Sequence, residues 1–239
     1  MNDELSGTPV DPMSFGAARH VDAPGVNDFL SSTRYVRRRA ELNDALATTL
    51  IALRATTVAE RRGGARALSR LSRGELGWGS LPLRDFFTDG RSREDLGQLI
   101  VNEPDASVVE SLLSSVQFGY SRFIVHPLWD PLHEEGAPAG YRGWAGDVAG
   151  SVRDHPSRAV RGWSAYLSVL AGDPRGWEQY LQVLPHAATT VWLADAVERF
   201  GETMTPGQRA GLRDVLRTHP PRGAGRLSAH EAALAALTN

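Results

Sequence analysis

From residue 172 onward the sequence carries helix start and stop signals so closely spaced that only short connections fit between them. Asp173-Pro174 and Thr205-Pro206 each join a capping side chain to a proline. Proline is favoured in a first helical turn because its missing N–H would have had no partner there. Ser228 and Glu231 have the spacing of a capping box. Gly172 and Gly201 stand where a left-handed residue ends a helix. These signals predict helices over 156–171, 174–184, 186–200, 206–217 and 229–238. Connections this short make sequential helices pack as neighbours. The expected fold class is all-α, a helical bundle or a short helical-repeat-like array.

A local repeat bears on that choice. GWSAYLSVL at 162–170 matches GWEQYLQVL at 176–184 in six of nine positions, and Arg-Gly-Trp occurs three times, at 142, 161 and 175. In each helical copy the Trp and the Leu–Val–Leu positions can share a buried face. Two adjacent helices that solve one packing problem with similar residues account for the match. The alternative is a short repeat array, but two copies offset by 14 residues fit no standard repeat.

Upstream the pattern loosens. Residues 1–32 are rich in Gly, Pro, Asp and Ser without periodicity and read as an extended or disordered arm. Thr33 is the expected cap of a helix whose Leu42, Leu46, Leu50 and Leu53 share one face. The Gly63-Gly64 pair is expected to break or kink it, with Leu68 and Leu71 in a second segment. Residues 74–92, with four glycines and Pro82, read as irregular. Short helices are expected over 92–101 and 105–116, the second capped by Asp105. The stretch 116–125 fits a strand or a buried helix, and periodicity does not separate the two. The domains expected are an acidic arm at 1–33, a basic helical region at 34–135 and a C-terminal bundle at 136–239. One continuous domain over 34–239 is the alternative.

Composition decides which functions are open. The chain has 239 residues, and all 26 of its cationic side chains are arginine, with no lysine and no cysteine. A Walker phosphate loop, a protein-kinase site and Schiff-base chemistry all need a lysine amine and are excluded. Thiol catalysis, disulfides and cysteine-ligated metals go with cysteine. A high-GC genome explains the arginine bias, and selection against a modifiable amine is the sharper alternative. No run of 18 apolar residues and no signal-peptide pattern occurs, so no membrane contact and a cytoplasmic location are expected.

Charge is segregated along the chain. Residues 1–33 hold one arginine and five acids, 34–93 hold thirteen arginines and six acids, and 94–239 hold twelve and seventeen. The net charges are therefore −4, +7 and −5. Within the basic stretch, Arg34, Arg37, Arg38 and Arg39 form one cluster. Arg62, Arg66, Arg70 and Arg73 recur at helical steps of four, four and three. A guanidinium stripe suits a nucleic-acid backbone or an acidic protein surface, because its planar fork donates two parallel hydrogen bonds. A solvated helix face is the plain reading. Tyr35 is the only aromatic between 34 and 77, which leaves little for base stacking.

HPLWDPLHEEG, residues 126–136, gathers His126, Asp130 and His133 as candidate metal ligands. Helical di-iron sites need paired Glu-x-x-His motifs, and this chain has none. Pro127 and Pro131 favour a turn of solvated polar residues instead. Gly119-Tyr120-Ser121 lacks the later glycine of a nucleophile elbow, having Phe123 in its place. The six tryptophans, from Trp78 to Trp192, read as core residues. No catalytic set and no cofactor follow from these residues. The expected function is a non-enzymatic interaction or assembly protein, a subunit or adaptor that meets a protein partner or its own copies. A nucleic-acid-binding component using arginines 34–73 is the alternative, and a helical enzyme centred on His126, Asp130 and His133 the second.

Overall fold

A computed structural model describes residues 32–74, 80–129, 136–184, 190–220 and 224–238. Every described element is helical, so the chain is all-α. The expected arm lies, up to residue 31, outside the described residues.

Helix α1 (Thr33–Leu53) is capped by Ser32, one residue before the expected Thr33; the Ser32 Oγ accepts the Tyr35 N–H at 3.3 Å. Leu42, Leu46 and Leu53 are buried as the periodicity predicts. The break does not come at Gly63-Gly64. It comes at 54–57, where Thr57 caps α2 (Val58–Arg73) by accepting the Glu60 N–H. The two glycines lie inside α2. Their role is close approach: a Cβ on Gly64 would stand 3.0 Å from the Leu53 nitrogen and 3.1 Å from the Thr49 carbonyl of α1. A helix pair this tight needs a residue without a side chain, and tertiary packing outweighs glycine's weak helix propensity.

The segment expected to be irregular contains α3 (Leu81–Thr88) and the start of α4 (Gly90–Asn102). Pro82 sits in the first turn of α3, where proline is tolerated, and Leu83, Phe86 and Phe87 anchor the helix in the core. Asp89 ends α3 and caps α4 by accepting the Ser92 N–H at 2.7 Å. Helix α5 (Ala106–Gly119) is capped by Asp105 as expected and runs into a π turn (Tyr120–Ile124). The stretch 116–125 is thus helical, burying Val116, Tyr120, Phe123 and Ile124.

Beyond Gly136 follow α6 (Ala137–Ser151), α7 (Arg158–Leu170), α8 (Arg175–Val183), α9 (Thr190–Phe200), α10 (Pro206–Thr218) and α11 (Ala224–Thr238). Gly172 has φ 87° and ends α7 as expected. Its N–H reaches the Val169 carbonyl and that of Asp173 reaches the Ser168 carbonyl, both at 2.9 Å, the paired bonds of a Schellman stop. Thr205 caps α10, and Gln208 completes a capping box there. The box expected at Ser228 does not open α11, which already begins at Ala224. Helix α10 ends at Thr218, and Ser228 lies exposed inside α11.

Packing places α2 between α1 and α5, α5 between α2 and α7, and α7 against α6, α8 and α9. Helix α11 closes the bundle on α9 and α10. One contiguous set of buried side chains runs from Tyr35 to Leu237. The repeated segments are the successive helices α7 and α8. Trp163 and Trp177, Tyr166 and Tyr180, Val169 and Val183, and Leu170 and Leu184 are buried in both copies. Gly176 supplies the close approach, since a Cβ there would lie 2.7 Å from the Ala165 carbonyl. The Trp, Tyr and Val-Leu positions of the repeat therefore carry packing. Trp129, Trp163 and Trp177 are buried and Trp144 and Trp192 partly buried, while Trp78 lies outside the described residues.

The hairpin yields a paired prediction. Gly63→Ala, with no atom within 4 Å of the new Cβ, is expected to stabilise by up to about 1 kcal/mol through helix propensity. Gly64→Ala presses on the α1 backbone and is expected to destabilise by about 1–3 kcal/mol. Chemical denaturation of the two variants checks the opposite signs.

Candidate partner interface

Antiparallel packing of α1 and α2 brings one arginine from each of the two clusters to a shared groove. The register set by Gly64 against Thr49 and Leu53 brings the start of α1 beside the end of α2. Arg38 and Arg70 accordingly line one groove of about 370 Å³, with Leu42, Ala45, Ala67, Leu71 and Leu83 on its walls. Arg34, Arg37, Arg38 and Arg39 of α1 and Arg66, Arg70 and Arg73 of α2 are all exposed.

The side chains are committed to very different degrees. Arg37 and Arg38 both approach Glu41, at 3.0 and 3.6 Å. Burial raises the Tyr35 hydroxyl pKa, and the charge of Arg39 works against that rise. Arg70 donates its Nε to the Arg66 carbonyl at 3.3 Å. No carboxylate among the described residues pairs with Arg34, Arg39, Arg66 or Arg70. Arg73 turns inward: it donates to Ser69 and Ser114 at 3.1 and 3.0 Å and lies 4.9 Å over the Phe118 ring.

Arg62 stands apart from the other seven. It points to the closed end of the hairpin and grips Asp105 with two bonds, at 2.6 and 3.1 Å. Beside it Arg61 grips Glu103 at 2.7 and 3.3 Å and donates to the Ala55 and Thr56 carbonyls. The Glu103 side chain is 6 % exposed and that of Arg61 16 %, so this pair is a clamp between the α1–α2 turn and the α4–α5 junction. Sequence reasoning missed Arg61. Its signal, an arginine next to another at a helix start, does not say that two acids 42 and 43 residues later receive them.

The Arg62 guanidinium, the Ser107 hydroxyl and the Val108 N–H hold the Asp105 carboxyl well below its ordinary range. Asp89 and Asp173 are lowered too, chiefly by the Ser92 N–H and by Arg175 respectively. A carboxylate lowered in this way adds stability above about pH 4, and that stability is lost as pH falls toward its folded pKa.

The second candidate cluster is only partly described. His126 is half-buried, its Nδ1 accepts the Leu128 N–H at 3.2 Å, and burial followed by Arg122 lowers its pKa. Asp130 and His133 lie outside the described residues. Among the described residues no three His, Asp or Glu side chains are grouped as metal ligands would be. Ser121 sits inside the π turn with its Oγ 3.5 Å from the Phe118 carbonyl, not at a strand-to-helix elbow.

One polar cluster had no readable trace in the sequence. The Tyr166 hydroxyl of α7 donates to Asp195 of α9 at 2.5 Å, and Arg199 donates to the same carboxylate at 2.8 Å. Desolvation followed by Asp195 raises the tyrosine pKa strongly. The neighbouring Tyr180 is raised by burial. Only the spacing of Asp195 and Arg199 was visible beforehand; their tyrosine lies 29 residues from the aspartate. The cluster ties α7 to α9 through the shared Asp195 carboxylate.

Two measurements follow. The Asp105→Asn variant keeps a capping side chain but loses the ion pair. Its melting temperature is expected below that of the unaltered chain at neutral pH, with the gap narrowing from about pH 5 to about pH 2. Tyr166→Phe strands buried polar groups and is expected to cost about 1–3 kcal/mol in chemical denaturation.

No helix among the described residues is long and apolar enough to cross a membrane. No protein-family model matches the chain, and no curated protein or solved structure matches it either.

Proposed function

We propose that this protein is a non-enzymatic interaction protein, a subunit or adaptor whose α1–α2 hairpin offers an arginine face to an acidic partner. One observation carries the reading. Arg38 and Arg70 from two distant stretches meet at one groove, and Arg34, Arg39, Arg66 and Arg70, all exposed, have no carboxylate partner among the described residues. Like charges crowded on one face destabilise their own helices, so a surplus of this kind is best explained by an external acid that relieves it. Stabilising roles account for Arg61 and Arg62 and leave the open end unexplained.

An acidic protein surface fits better than nucleic acid. Glu41 and Asp44 are exposed among the α1 arginines and would repel a phosphate backbone. The described part of the face also offers no exposed aromatic ring for stacking. Guanidinium forks bind phosphate as readily as carboxylate, which keeps nucleic acid as the second outcome of the test. The His126, Asp130 and His133 reading has a separate check, namely metal analysis of the purified protein.

Affinity purification from the native source, with protein and nucleic-acid detection on the same sample, tests the proposal. The triple variant Arg34→Gln, Arg37→Gln, Arg66→Gln is expected to lose the recovered partner while keeping its melting temperature. Recovery that is equal for the variant and the unaltered chain would remove the arginine face as the binding site. A recovered nucleic acid whose affinity falls steeply with salt would favour the alternative.

A further inference from the structure

We propose that the groove between α1, α2 and α3 is a docking site for the chain's own acidic segment 22–30, DAPGVNDFL. The inference rests on the reading of the hairpin as an acid-binding face and names an occupant for it.

The groove has two chemical parts. Leu42, Ala45, Ala67, Leu71 and Leu83 make an apolar floor and walls, with Arg38 and Arg70 beside them. Its volume of about 370 Å³ falls within the ~300–1,000 Å³ of common ligand clefts. Arg38 is held only by a 3.6 Å approach to Glu41, which Arg37 already engages at 3.0 Å. Arg70 has a backbone carbonyl as its acceptor, and no carboxylate among the described residues pairs with it. Such a groove asks for a short segment carrying carboxylates next to large apolar side chains.

Segment 22–30 has that composition. Asp28 is followed by Phe29 and Leu30, while Asp22 and Val26 lie upstream, and residues 1–33 together carry a net charge of −4. Aspartate can meet a guanidinium while the phenyl ring and the leucine cover apolar wall. Reach also favours it. The segment ends beside Ser32, at the start of α1. Arg38 lies six residues further along, about 9 Å up the helix, and three extended residues from Phe29 to Ser32 span about 10 Å. Residues 22–31 can span about 33 Å when extended, which leaves length for a reversal ahead of Ser32 and for reaching Arg38 and the apolar wall beyond it. Tethering this close gives the segment an effective concentration on the millimolar scale, so weak contacts suffice. A docked segment would shield the groove from other acids, and an acidic partner would have to displace it.

Photo-crosslinking in the full chain tests this directly. Phe29 is replaced by p-benzoylphenylalanine and the monomer is irradiated, digested and mapped by mass spectrometry. Crosslinks from position 29 to Leu42, Ala67, Leu71 or Leu83 are expected within one chain. Their yield should fall by about fivefold in Arg38→Gln/Arg70→Gln, the scale of losing two exposed ion pairs. The same fall is expected in Asp22→Asn/Asp28→Asn and in 1 M salt, where charges are screened within about 3 Å. Crosslinks mapped elsewhere, found only between two chains, absent, or unaffected by both double variants would overturn the proposal. Failure here leaves the partner experiment intact, because that experiment reads an external molecule through Arg34, Arg37 and Arg66.

Discussion

The close approach of α2 to its two neighbours is the contact on which this structure depends. The inward face of α2 is built from Gly64, Ala65, Leu68, Ser69 and Ser72, all small except one leucine. Small residues let α1 pack on one side and α5 on the other without large side chains between them. A face so thin in apolar area buries little surface, and burial supplies the main driving force for packing. The hairpin is therefore fastened by other means. Arg61 and Arg62 reach across to Glu103 and Asp105, and the Ser69 hydroxyl meets that of Ser114 at 3.4 Å.

That arrangement explains why the basic stretch of the sequence splits into two kinds of arginine. Those at the closed end of the hairpin meet acids of the α4–α5 junction and are internal fasteners. At the other end Arg34, Arg39, Arg66 and Arg70 have no carboxylate partner among the described residues. Some ion pairs elsewhere are local: Arg153 and Arg175 share Asp173, and Arg199 takes Asp195.

The C-terminal half was largely legible in the sequence because its helix ends are written in local chemistry. Thr205-Pro206 and Gly172 act where they stand, and the expected helix over 206–217 differs from α10 by a single residue. The N-terminal half was less legible for one physical reason. A glycine pair inside a helix and a glycine pair that ends one have the same local signature. Only the backbone of α1, brought in from eleven residues away at Leu53, reveals which applies. Helix α3 was hidden similarly, because its stability comes from burying Leu83, Phe86 and Phe87 rather than from local signals. The arginine clusters were legible as clusters; that Arg62 belongs to the fold and that Arg38 meets Arg70 across a groove depend on antiparallel pairing. The Tyr166–Asp195–Arg199 cluster depends on the packing of α7 against α9, which no spacing rule encodes.

The claim that the open end of the hairpin is the working surface is tested most directly by amide hydrogen exchange. The measurement compares the chain in the complex recovered from its native source with the purified chain alone. The account predicts added protection over residues 33–42 and 66–74, with the Arg61–Glu103 junction and the Tyr166 cluster unchanged. Protection centred on His126 or on the α7–α9 contact, with the hairpin exchanging as freely as before, would contradict it.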